Sequence, residues 1–325
     1  MRRHHLLAVF IGWLGPAALG GQWITTWEPS YLPASHNWAF RRGYPEVDRL
    51  FAAFDYGHAI LYERLWTAPS APVADLEQTQ YDYITKSLLV HPPRLPLVES
   101  AIAPNYVRLV PEAHAMFHWA HLLHLQVYDV IADERLSDEE KDREVRALLT
   151  FYRSRGALAF SEQPKDMQLM VGQPYSQAFL RRYPKFNGLI WAYHWLQIGL
   201  YEALLIGNNQ SERAAAVSRT VQHFNEMVSG GLSTLPSEMP MAAAIAPTFA
   251  KRFPEAAIVF DNLHAMHDVI SDILANPSVA RTDKRTEILR ASARYRDSTT
   301  AIVTRAEWWS MAESMGVEAQ GGRVR

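Results

Sequence analysis

Residues 111–134 read PEAHAMFHWAHLLHLQVYDVIADE. A proline opens the run, and apolar residues then cover nearly the whole circumference of a helix rather than one stripe. This predicts a long helix from Pro111 through Glu134, central and buried over Glu112 to Tyr128. The same stretch carries His114, His118, His121 and His124, at spacings of four, three and three. Polar rings on an apolar helix cost free energy unless each is hydrogen-bonded or bound to a metal. The segment therefore bears on both the fold and the search for a site.

Reading outward from it, helical signals continue in both directions. Val47, Leu50, Phe51, Phe54, His58, Leu61 and Leu65 form one stripe on the N-terminal side. Ser137-Asp138-Glu139-Glu140 is a capping box that opens a charged surface helix to Arg155. Turn signals over 161–187 mark a connecting segment. Leu189 to Ile206 is a second helix that is apolar all round, and its His194, Gln197 and Glu202 favour a protein core over lipid. Ser211 to Val228 is amphipathic and stops at Gly230-Gly231. Pro254 or Glu255 opens another helix through Leu274, and Thr282 to Trp309 is a final charged helix. No alternating strand pattern with hairpin turns occurs. The fold class is all-α, a multi-helix bundle.

Two five-residue stretches recur with one shift of 139. Leu61-Tyr62-Glu63-Arg64-Leu65 returns as Leu200-Tyr201-Glu202-Ala203-Leu204, and Asp129-Val130-Ile131-Ala132-Asp133 as Asp268-Val269-Ile270-Ser271-Asp272. This points to an internal duplication with two pseudo-symmetric halves, about 46–160 and 185–310, inside one helical domain spanning 46–317. A single pair of apolar helices cannot bury both its faces, so the halves are expected to pack together. Residues 21–45, rich in Trp, Pro, Ser and Gly, read as an irregular leader, and 318–325 as a loose tail.

Residues 1–20 bear on the compartment. Met1 to His5 is a short basic start, Leu6 to Leu19 an apolar run, and Ala18-Leu19-Gly20 supplies small residues suited to cleavage. The segment reads as a signal peptide or membrane anchor, with the rest of the chain exported to a periplasmic or other extracytoplasmic space. Uncleaved, it would make the membrane a partner.

Composition excludes several classes. With 32 basic against 34 acidic residues the net charge is −2, which gives no general attraction to nucleic acid. The absence of cysteine rules out disulfides, thiolate zinc sites, iron–sulfur clusters and cysteine nucleophiles. Gly-x-Ser-x-Gly, His-Glu-x-x-His and P-loop motifs are also missing.

The remaining chemistry lies in polar residues on the apolar helices: Asp55, His58 and Glu63; the four His of the opening stretch with Asp129 and Asp133; His194 and Glu202; and Asp261, His264, His267, Asp268 and Asp272. Helical spacing puts Asp55 with His58, His121 with His124, and His264 with Asp268 on shared faces. The sequence reading is a metal site in the bundle core drawn from Glu63, His121, His124, Asp129, His194, Glu202, His264, His267 and Asp268. Carboxylate and imidazole together suit iron, manganese or zinc, and a metal-dependent oxidoreductase is one function such a site would serve. The plan resembles that of the ferritin-like di-iron carboxylate proteins, in which two helices each give a Glu and two give Glu-x-x-His. This chain has no Glu-x-x-His; its nearest counterparts are Asp55-Tyr56-Gly57-His58 and Asp261-Asn262-Leu263-His264. The alternative reading makes the buried His and Asp structural pairs, in a non-catalytic accessory or interaction subunit of a membrane-associated complex.

Overall fold

A computed structural model describes residues 38–94 and 98–324. The segment 1–20, expected as a signal or anchor, and residues 21–37 of the expected leader lie outside the described residues. Among the described residues the chain is helical, with one isolated antiparallel bridge, Lys165 to Ile302, and no strand. The principal helices are α1 (Ala39–Gly43), α2 (Pro45–Thr67), α3 (Glu99–Ile102), α4 (Pro104–Leu109), α5 (Pro111–Ala132), α6 (Asp138–Arg153), α7 (Ala178–Arg182) and α8 (Pro184–Ile206). After these come α9 (Gln210–Ser229), α10 (Ala242–Ile245), α11 (Pro247–Arg252), α12 (Pro254–Ala275), α13 (Lys284–Arg296) and α14 (Arg305–Ser314).

Proline begins α2, α4, α5, α8, α11 and α12. Its fixed φ suits a first helical residue, and the N–H it lacks has no intrahelical partner there. The expected capping box forms: the Ser137 hydroxyl accepts from the Glu140 N–H, and the Glu140 carboxylate accepts from the Ser137 N–H. Thr304 and Glu307 make a second at the start of α14.

Four long helices build the centre. α2 packs against both α8 and α12, and α5 also packs against both. α5 is apolar almost all round, as its sequence predicts, and is buried at most positions from Met116 to Ala132. α8 is buried from Phe186 to Leu204 and α12 from Ala256 to Ala275. The charged helices α6 and α13 cover α5 and α12, and the amphipathic α9 covers α8. No helix of the described residues is long and apolar enough to cross a membrane, and α8 is a core helix.

Elements of equal length recur at two offsets. α1 and α2 have the lengths of α7 and α8, 139 residues on, while α3, α4 and α5 have those of α10, α11 and α12, 143 residues on. The pentapeptide shared by α5 and α12 is therefore one helical turn out of step with the element boundaries, which align Asp129 with Asp272 rather than Asp268. The segment between α8 and α10 is four residues longer than that between α2 and α3, which accounts for the change of offset.

The expected final helix Thr282 to Trp309 is two, α13 and α14, the helix expected from Leu189 begins at Pro184, and the leader and tail also differ from the sequence reading. The irregular leader ends before 45, because Trp38 takes a left-handed conformation (φ 70°) and starts α1, whose Ala39 and Phe40 are buried. The expected loose tail is packed. Gln320 is wholly buried, accepts from the Met241 N–H and donates to the Ala312 carbonyl. The Trp195 indole donates to the Gly322 carbonyl, so polar backbone in the tail supplies partners that the core lacks.

Candidate metal centre

Each of the four central helices contributes histidine to one buried cluster: His58 from α2, His121 and His124 from α5, His194 from α8, and His264 and His267 from α12. α5, α8 and α12 bury their rings because these helices are enclosed nearly all round, and His58 lies in the apolar stripe of α2.

Three rings converge. His58 Nε2 lies 3.3 Å from His194 Nε2, and His267 Nδ1 lies 3.3 Å from the same atom. One nitrogen from each ring falls within 4.8 Å of the other two, so His58, His194 and His267 are placed to hold a metal ion. His58 Nδ1 donates to the Phe54 carbonyl at 3.0 Å. A carbonyl only accepts, so Nδ1 carries the proton and Nε2 presents a lone pair to the cluster. His194 Nδ1 is buried with no hydrogen-bond partner. If His194 carries its proton on Nε2, its Nδ1 lone pair is stranded; if on Nδ1, a buried N–H is stranded and lone pairs meet at the centre. Either way a buried polar group is left at a cost of about 1–3 kcal/mol; a cation at the convergence point gives the facing lone pairs a partner, with the His194 proton on Nδ1.

Burial lowers the basicity of these rings. It holds His58 down at about 4, with the hydrogen bond to Phe54 opposing the shift. His194, His264 and His267 lie well below the ordinary imidazole value, through burial first and neighbouring imidazoles second. The rings are neutral at pH 7, the form in which imidazole binds metal.

A cavity of about 180 Å³ adjoins the cluster. His58 and His267 line it, as do Asp55, Glu99, His118 and His121. Asp55 Oδ1 stands 3.9 Å from His121 Nδ1, too far for a hydrogen bond. Burial, and then the Glu99 charge, raise the Asp55 carboxyl well above its usual range, and burial holds His121 at about 3. Both therefore favour their neutral forms. His114 Nε2 meets Glu99 Oε2 at 3.1 Å.

Of the nine residues expected as ligands, the structure brings His194 and His267 together with His58. The carboxylates go elsewhere. Glu63 accepts from the Asn105 and Tyr106 N–H groups at the start of α4, both at 3.0 Å. Glu202 accepts from Thr248 and Phe249 at the start of α11. Asp129 accepts from Trp38 and Phe40 at the start of α1, and Asp268 accepts from the Trp191 indole at 2.8 Å. The physical reason is common to the first three. A helix start leaves N–H groups unpaired, and one packed against the core needs a protein acceptor. His121 lies on the cavity wall. His124 is bound to Tyr201, and His264 stacks on His194 with ring centroids 4.1 Å apart.

The sequence reading omitted His58 from its ligand set. The signal was available: Asp55 and His58 share a helix face, and His58 falls in the apolar stripe of α2. The resemblance to a carboxylate-bridged di-iron plan drew the expected set toward glutamates instead. No protein-family model, no curated protein and no solved structure matches this chain.

Proposed function

We propose that this protein is an exported metalloprotein whose transition metal is held by His58, His194 and His267 and acts on a small molecule in the adjoining cavity. The observation that carries the reading is the convergence of three buried ring nitrogens, with the His58 Nε2 lone pair and His267 Nδ1 each 3.3 Å from His194 Nε2. An all-imidazole set disfavours manganese and suits zinc or iron. Three protein ligands leave a coordination position for water or substrate, the pattern of catalytic rather than structural sites. Asp55 and His121 stand on the same cavity wall, where a substrate proton would be received or supplied.

The duplication belongs to the same reading. Its support is the recurrence of both geometry and role: Asp129 caps α1 as Asp272 caps α7, Glu63 caps α4 as Glu202 caps α11, and Trp38 and Gln177 share the left-handed conformation before those short helices. Under it, Asp55 corresponds to His194 and His121 to His264. The halves then diverged, one keeping a carboxyl on the cavity wall and the other an imidazole on the metal. Export rests on the basic start and apolar run of residues 1–20.

The test is elemental analysis of chain purified without an affinity tag or chelator, followed by titration of the metal-free protein with zinc and iron(II). Stoichiometric metal that is lost in His58→Leu and in His267→Leu supports the proposal. Metal-free protein that takes up neither ion in titration ends it.

A further inference from the structure

The histidine core extends beyond the three converging rings. His264 is completely buried, and neither of its ring nitrogens has a hydrogen-bond partner. His124 is 2% exposed, and its Nε2 likewise lacks a partner. Its proton can be placed. The Tyr201 hydroxyl has one hydrogen and donates it to the His124 carbonyl, 2.8 Å away; the same hydroxyl oxygen, 2.8 Å from His124 Nδ1, then accepts from that nitrogen. His124 Nε2 is thus a buried lone pair, with the Phe260 ring 4.1 Å from its own.

These atoms do not belong to the first centre. His264 lies flat against His194, the ring planes only 10° apart. Imidazole binds a metal in its own plane, so two rings stacked face to face cannot share one ion. His124 and His264, by contrast, are tilted by 46° with centroids 6.2 Å apart. Two metal–nitrogen bonds of about 2 Å on opposite sides of an ion, each backed by the radius of a ring, span roughly this distance.

We infer that the core holds a second transition-metal ion between His124 and His264, making the centre binuclear; the inference rests on the three-histidine site proposed above. The donors are two neutral imidazoles in an apolar setting, so the ion is one that tolerates nitrogen ligation at low protein coordination number, such as zinc or copper. His194 then serves as the spacer between the two ions, Nε2 toward the first and its ring face against the ligand of the second. The partnerless nitrogens of His124 and His264 gain an ion, and without one they leave two buried imidazoles at a cost that substitution by leucine would remove.

The experiment is metal-free wild type titrated with cobalt(II) and, separately, zinc, following visible absorption for cobalt and calorimetric stoichiometry for zinc. His124→Leu, His264→Leu and His58→Leu are run alongside, with helical circular dichroism checking each fold. Two equivalents in the wild type, one in each of the three variants, is the expected result. One equivalent in the wild type that survives both His124→Leu and His264→Leu overturns the second position and leaves the first standing, assigning those rings to packing or buried water. Two equivalents that persist in both variants also overturn it. No uptake by the wild type overturns both sites. The break point of the wild-type cobalt titration decides the matter even where a variant fails to fold.

Discussion

His58 Nε2 and His194 Nε2 face each other at 3.3 Å across 136 residues of sequence. Neither ring can move away alone. His58 is tethered through Nδ1 to the backbone of its own helix, and His194 is wedged between His264 at 4.1 Å and the other two members of the trio. Such pre-positioning suits a ligand set, because His58 Nε2, His194 Nε2 and His267 Nδ1 all face one point without rearrangement.

Replacing His194 by leucine separates the two roles. Metal affinity should fall at least about 100-fold, since one of three ligands is gone. The metal-free protein should keep its stability within about 1 kcal/mol or gain some, because leucine fills a similar volume and removes the stranded Nδ1. Urea unfolding with chelator present, beside zinc titration, checks both. A strongly destabilised metal-free variant that still binds zinc would assign His194 to structure instead.

The carboxylates should behave in the opposite way. Glu63→Ala and Glu202→Ala each remove the acceptor for two N–H groups at a helix start. Each should cost about 1–2 kcal/mol of stability. Metal content should be unchanged, because neither side chain belongs to the converging set. Melting temperature and elemental analysis of the two purified variants read this directly; loss of metal from a well-folded Glu202→Ala would return it to the ligand list.

His58 gives a pH dependence whose sign can be worked out. Its folded-state value, about 4, lies below the unfolded value of about 6.5. The unfolded chain therefore takes up the proton first. The stability attached to neutral His58 is complete above pH 6.5 and is lost as pH falls toward 4, a difference of about 3 kcal/mol. In metal-free protein, wild type should lose that much relative to His58→Leu between pH 6.5 and 4. Other buried groups titrate in both chains and drop out of the comparison to first order. Denaturant unfolding at half-unit pH steps measures it, and parallel curves for the two proteins would refute it.

How much of this was legible in the sequence depends on the kind of signal. The helices read well because their cause is local. Proline at the first position, apolar residues all round α5 and α8, and the Ser137–Glu140 box are each complete within a few residues. The site read only in part. His194 and His267 stand out as imidazoles in apolar helices, but which nitrogens converge depends on how α2, α8 and α12 cross, and no local pattern encodes that. The carboxylates misled for a physical reason. A buried Glu or Asp needs partners, and sequence spacing does not distinguish a metal from the N-terminus of a short helix dozens of residues away. Glu63 and Asn105, 42 residues apart, are the clearest instance.

Gly57 is a close contact between the two helices that carry the opposed rings. A Cβ there would meet Tyr193 Cε2 at 2.7 Å and its hydroxyl oxygen at 3.1 Å. The Tyr193 ring cannot withdraw, being stacked on Phe54 with centroids 4.3 Å apart, fully buried. Since Gly57 adjoins His58 and Tyr193 adjoins His194, any accommodation must push α2 from α8 at the level of the metal ligands. Gly57→Ala should therefore cost about 1–3 kcal/mol despite alanine's better helix propensity. It should also weaken metal binding, because the gap between His58 Nε2 and His194 Nε2 opens. Gly43→Ala is the control: its added methyl meets nothing within 4 Å, and stability should stay within about 0.5 kcal/mol. Zinc affinity and melting temperature of the pair test the argument. Gly57→Ala with unaltered affinity would mean that the helices are free to shift without moving the rings, and that the three-histidine geometry is set elsewhere than at this contact.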